Sequence, residues 1–150
     1  HLLKRHDLTP MDGYNDFKES SHKIATSLLS SMSTLTQKML SSLDHGAIKE
    51  RRITNFTLLH THLAASNELQ IPSLDSFSCP MVYPYYTKDS ELRKRLISNQ
   101  VFVATYWPNV FEWCKEGDLE YELCKNIIPI PIDQRYGDKD MKRIVEIINK

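Results

Sequence analysis

The last quarter of the chain, Asn126-Ile-Ile-Pro-Ile-Pro-Ile-Asp-Gln-Arg-Tyr-Gly-Asp-Lys-Asp-Met-Lys-Arg-Ile-Val-Glu-Ile-Ile-Asn149, limits the possible folds most tightly. Ile128, Ile130 and Ile132 alternate with Pro129 and Pro131, so the run reads as a short strand with one buried face. Proline has no N–H for a ladder, which pushes such a strand to a sheet edge. Met141, Ile144, Val145 and Ile148 then recur at helical spacing, with Asp138 as the candidate N-cap. Between strand and helix lies a polar turn, Asp133-Gln-Arg-Tyr-Gly137, held at both ends. A charged side chain fixed in this way is better placed for recognition than one on a free loop.

Upstream, residues 1–20 show no period and read as an irregular lead-in. Ile24, Leu28, Met32, Leu35, Met39 and Leu43 follow at steps of four, four, three, four and four. That spacing predicts one long, projecting amphipathic helix over 22–43. Its other face is mostly Ser, Thr and Lys, so packing rather than intrinsic propensity must hold it. Asp44-His-Gly46 breaks the pattern, and a second helix is expected from Ala47 to Ser66 with Ile48, Phe56, Leu59 and Leu63 inward. Residues 21–66 therefore form connecting helices, and 67–150 form an α+β domain.

That domain is expected to hold a small, antiparallel-leaning sheet of about three strands, near residues 80–86, 101–107 and 127–132, with helices on one face. A helix through Leu92, Leu96 and Ile97 and a shorter one over Leu119 to Cys124 separate the strands.

Several function classes lack support. Nineteen basic and nineteen acidic residues balance to zero, against a general nucleic-acid surface. No apolar run approaches the roughly 20 residues of a membrane span. His60 and His62 are two apart and point to different helix faces, while His1, His6, His22 and His45 lack a partner at ligand spacing, so no metal site is expected. The glycines are too few and scattered for a phosphate loop. Cys79, Cys114 and Cys124 are odd in number and widely spaced, in keeping with free thiols in a reducing cytoplasm. The start at His1 carries neither an initiator Met nor a signal core, and reads as part of a longer chain.

Two aromatic-polar rims at strand ends remain, Tyr106-Trp107 and Arg135-Tyr136. In a structural role the aromatics cover core edges and Arg135 pairs with Asp133 or Asp138. In a functional role Arg135 offers a bidentate fork to a carboxylate or phosphate.

The order of short motifs resembles the C-terminal part of fold-type I pyridoxal-phosphate enzymes, above all the DegT/DnrJ/StrS-type aminotransferases that act on nucleotide-linked sugars. Leu43-Asp44 with Ile48, then Arg51-Arg52-Ile-Thr-Asn55-Phe56 and Leu59, look like the family's connecting helix. Pro84-Tyr-Tyr, Leu92-Arg93, Val101 and Tyr106-Trp107 resemble the first strand, helix and second strand of its small domain. Ile128-Pro-Ile-Pro-Ile-Asp133-Gln-Arg-Tyr136, with Asp140-Met141 and Ile144, looks like the closing strand and helix. The likeness covers roughly residues 20 to 150 and includes no catalytic residue. It implies a preceding large domain carrying the cofactor-binding lysine, an amino donor such as glutamate, a keto acceptor such as a sugar nucleotide, and a homodimer. This chain would then supply substrate walls, with Arg135, Tyr136, Tyr106 and Trp107 as binding residues and no catalytic group. The competing reading is a non-catalytic α+β binding or regulatory module using the Tyr-Trp rim.

Overall fold

The computed structural model describes Lys4, Asp7, Leu8, residues 12–75 and residues 78–150. His1, His6 and Pro10 lie outside the described residues. The chain forms two compact units, His1–Leu43 and Asp44–Lys150.

In the first unit, helices α1 (Tyr14–Thr26) and α2 (Thr34–Ser41) replace the expected single helix over 22–43. The break has a local cause. The Ser27 hydroxyl donates to the Lys23 carbonyl and Ser27 itself turns extended, ending α1. Ser33 then caps α2, its Oγ accepting the Thr36 amide at 3.1 Å. Serines that bond to their own backbone compete with helix propagation. Packing does not override them: α1 and α2 bury no residue, and Leu28 is 94% exposed. The expected lead-in is also corrected, since α1 begins at Tyr14.

The second unit is α+β. Helix α3 (His45–Leu63) starts two residues before the expected Ala47 and ends three before Ser66, with Asp44 Oδ1 accepting the Ala47 amide at 2.9 Å. It buries Asn55, Phe56, Leu59 and Leu63. Strands β1 (Val82–Tyr86) and β2 (Ile127–Pro131) pair antiparallel, with Tyr83 opposite Ile130, Pro84 opposite Pro129 and Tyr85 opposite Ile128. Tyr83, Tyr85, Ile128 and Ile130 point into the core. The three prolines, at 84, 129 and 131, share the alternate parity, so the pairs that exchange N–H···O bonds never need a proline amide. The Asn67 side chain covers the outer edge of β1: its Nδ2 donates to the Pro84 carbonyl at 2.9 Å and its Oδ1 accepts the Tyr86 amide at 2.9 Å. An edge blocked this way offers no template for another strand.

The sheet has these two strands, and the expected third does not form. Val101 and Val103 are buried and Phe102 is exposed, the alternation of a strand, but residues 101–107 make no ladder. The carbonyls of Val103 and Ala104 are taken by the Arg93 guanidinium instead. Along β2 the outward-facing positions 129 and 131 are prolines without a donor.

The remaining elements are α4 (Leu92–Ser98), a short α5 (Val110–Trp113) that the sequence pattern does not announce, α6 (Leu119–Asn126) and α7 (Asp138–Ile148). Helix α7 buries the expected stripe, Met141, Ile144, Val145 and Ile148, together with Ile147. Its N-cap is Gly137 rather than Asp138. Asp140 Oδ2 accepts the Gly137 amide at 2.9 Å, the reciprocal half of a capping box. At its other end Arg95 donates to the carbonyls of Ile147 and Ile148 at 3.0 and 3.4 Å, closing two terminal acceptors of the helix. α3, α4, α7 and the ladder share one apolar core.

Asn55 is fully buried, and its Nδ2 reaches the carbonyls of Ile132, Asp133 and Tyr136 at 3.2, 3.3 and 3.1 Å. Its Oδ1 has no hydrogen-bond partner among the described residues. Asn55→Ala is therefore expected to leave three turn carbonyls underbonded and to cost about 2–3 kcal/mol in urea unfolding. Asn55→Asp, which sets a carboxylate against those carbonyls, should cost more.

Candidate functional site

The turn between β2 and α7 is built by its own backbone and by α3. Tyr136 N donates to Asp133 O at 3.1 Å, closing the turn, and Arg135 N donates to Asp133 Oδ1 at 3.1 Å, an Asx-type contact. The three carbonyls on Asn55 fix its position against the core. On this base the Arg135 guanidinium meets the Asp133 carboxylate with two parallel bonds, Nε to Oδ1 at 2.8 Å and one terminal nitrogen to Oδ2 at 2.9 Å. Of the two acidic partners considered, Asp133 is the one used; Asp138 lies 3.4 Å from Arg51.

This pair shifts both groups. The Arg135 hydrogen bond holds the Asp133 carboxyl below its ordinary value against the opposing effect of burial. Asp133 in turn raises Arg135 above the usual arginine value. The Arg135 side chain is 71% exposed and that of Asp133 18%. Asp133 engages one edge of the guanidinium, through Nε and one terminal nitrogen. The edge carrying both terminal nitrogens keeps N–H donors for another planar acceptor. The guanidinium carbon also lies 5.9 Å from the centre of the Tyr136 ring, a cation–π distance. Arg135 is thus pre-oriented, with half its fork spent and its charge partly offset.

Tyr106 and Trp107 sit elsewhere. Their rings meet edge to face at 5.7 Å, and Trp107 is held at φ 51, in the left-handed region that non-glycine residues seldom occupy. Trp107 O accepts the Val110 amide at 2.9 Å, and Tyr106 O accepts the Cys124 thiol at 3.1 Å. The two aromatics join Val110, Leu123, Cys124 and Pro129 around a groove of about 280 Å³. Neither Arg135 nor Tyr136 lines it. The four candidate residues therefore form two places, a guanidinium on a rigid turn and an apolar aromatic groove. Leu123 and Cys124 were not predictable as lining, because only tertiary packing brings α6 against the 106–107 corner.

Every lysine among the described residues is at least partly exposed. Lys4, Lys23 and Lys125 are raised by carboxylate partners, the opposite of an activated amine. These residues do not fit the attachment point of a pyridoxal phosphate. Among the described residues there is no cluster of three or more metal-ligating side chains and no helix long and apolar enough to cross a membrane. His60 is structural, its Nδ1 lying 3.3 Å from the Tyr83 hydroxyl. Scanned against protein-family models, curated proteins and solved structures, the chain matches none.

The Asp133 carboxyl has a lower pKa folded than unfolded, where it is about 3.9. The pair thus stabilises the fold above about pH 4, and this contribution is lost as pH falls through the folded value. Asp133→Asn should flatten the acid limb of stability below about pH 4. The difference should be no more than about 1 kcal/mol, given the exposure of Arg135. Urea midpoints of the two proteins between pH 2 and 6 (on the order of the window set by that carboxyl) measure it.

Proposed function

We propose that this chain is the C-terminal region, connecting helices plus small domain, of a pyridoxal-phosphate-dependent aminotransferase-like enzyme of the DegT/DnrJ/StrS type. The observation that carries the reading is the Asn55 cluster. Two motifs that support the resemblance, Arg51-Arg52-Ile-Thr-Asn55-Phe56 and Ile132-Asp133-Gln-Arg-Tyr136, lie far apart in sequence yet meet in one buried set of hydrogen bonds. A third, Pro84-Tyr-Tyr, pairs with Ile127–Pro129 in the ladder. Motifs that interlock physically behave as parts of one unit rather than as chance matches.

In this reading the chain supplies walls and orientation, and the cofactor-binding lysine belongs to a large domain in the same polypeptide. The cofactor, when bound there, supplies an electron sink for carbanion chemistry. Arg135 offers the free edge of its guanidinium to the carboxylate of an amino donor such as glutamate. Tyr136 backs that cation, and Tyr106 and Trp107 form an apolar wall for a keto acceptor, a sugar nucleotide in the nearest analogy. The enzyme would work as a cytoplasmic homodimer. A second reading, a non-catalytic binding module, draws on the poor fit of the described lysines to the cofactor and on the exposed Trp107 beside the groove.

Two experiments test the first reading, and the second separates it from the other. The 150-residue chain alone should take up no borohydride-reducible pyridoxal phosphate; stoichiometric labelling of one lysine within it would refute the division of labour. In the longer protein, Arg135→Lys keeps the charge and loses the fork. It should raise KM for the acidic substrate or lower kcat/KM by at least roughly tenfold, about 1.4 kcal/mol, with folding little changed. Unchanged kinetics would leave Arg135 only its pairing with Asp133.

A further inference from the structure

A second cavity, of about 420 Å³, lies where the turn after β1 meets α4 and the last turn of α6. It shares no lining residue with the aromatic groove. Lys88, Arg93 and Lys125 bring positive charge to it, and Asp89 and Glu122 bring negative charge. What the cavity can accept depends on which of these charges is already matched.

Three are engaged. Lys125 lies 2.9 Å from Glu116 Oε1. Asp89 binds Arg95 through Oδ2 at 3.0 Å and the Glu91 amide through Oδ1 at 2.9 Å. Glu122 Oε2 accepts the Asn126 carboxamide at 2.9 Å. Lys88 and Arg93 have no carboxylate within 4.0 Å among the described residues. Arg93 is half-buried and rigidly held: one terminal nitrogen donates to Ala104 O at 2.7 Å and Val103 O at 3.5 Å, the other to Ile127 O at 3.2 Å. All three acceptors are neutral. Its orientation is fixed while its charge is unanswered, and its Nε–H and one terminal N–H remain to donate. Partial burial lowers its pKa below the usual arginine value, yet a guanidinium stays cationic in a protein. Withdrawing a cation from water without a counter-charge is unfavourable, and an anion placed beside it removes the penalty.

We propose that this cavity binds the oxyanion of a small molecule, a carboxylate or a phosphate monoester, with Arg93 as the positioned fork and Lys88 as the second positive charge. The inference is independent of the aminotransferase reading. The Thr87 hydroxyl accepts the Asp89 amide at 3.2 Å and keeps its own hydrogen to donate to the ligand. The volume lies in the range of small-molecule sites. Glu122, on the same wall, opposes an anion and sets the sign of one control.

Calorimetric titration of the chain with inorganic phosphate and, separately, with succinate, each against chloride at equal ionic strength, tests this. Saturable binding of at least one probe is expected, and the preferred probe distinguishes phosphate ester from carboxylate. Lys88 is exposed, so Lys88→Glu should fold normally by circular dichroism and weaken binding about tenfold or more. Glu122→Gln should strengthen it. Arg93→Lys should abolish the fork-dependent binding; should it fail to fold, the Lys88 and Glu122 variants still decide. No saturable response to either probe beyond chloride, or equal affinity in wild type and Lys88→Glu, would overturn the proposal.

Discussion

A single buried carboxamide nitrogen organises the second unit. Asn55 Nδ2 holds Ile132 O, Asp133 O and Tyr136 O, and so fixes where β2 ends, how the turn closes and where α7 begins. Those carbonyls fall at the junction of a strand and a helix, and only Asp133 O also takes a turn amide, that of Tyr136. An apolar residue at position 55 would leave them buried and underbonded. The asparagine is therefore a structural requirement at a place where the helix pattern alone would accept a leucine, and Arg135 inherits its orientation from it.

Arginines extend the same logic. Arg52, Arg93, Arg95 and Arg143 all donate to backbone carbonyls, at Pro80, at Val103, Ala104 and Ile127, at Ile147 and Ile148, and at Asn99. A planar fork with five donors can satisfy carbonyls from segments that form no ladder together. The sheet stops at two strands because prolines on β2 cannot donate outward, and Arg93 takes over the joining of 103–104 to the start of β2. Arg95 also pairs with Asp89, but Arg135 differs in that its guanidinium bonds only to a carboxylate, which orients it and offsets part of its charge.

The two units show opposite relations between pattern and outcome. In α3 and α7 the apolar spacing coincides with burial, and both helices form close to the expected limits. Over 22–43 the spacing is as regular, yet its apolar residues are exposed and serine caps divide the run. Amphipathic spacing marks a helix that could be stabilised by a partner surface; it does not provide one. Where burial is missing, local side-chain bonding wins.

From the sequence by itself come the α+β class, the β1 and β2 segments, the approximate limits of α3, α4 and α7, and most of the buried positions of α3 and α7, because each follows from spacing along one local element. Asp133-Gln-Arg-Tyr136 could also be recognised as a polar turn held between two apolar elements. Tertiary structure decided the rest: that Asp133 rather than Asp138 meets Arg135, that Tyr106 and Trp107 share a groove with α6 and not with Arg135, that 101–107 joins no ladder, and that Arg93 has no carboxylate partner among the described residues. Each of these depends on which distant groups lie within a few ångströms of one another, and periodicity carries no information about such distances.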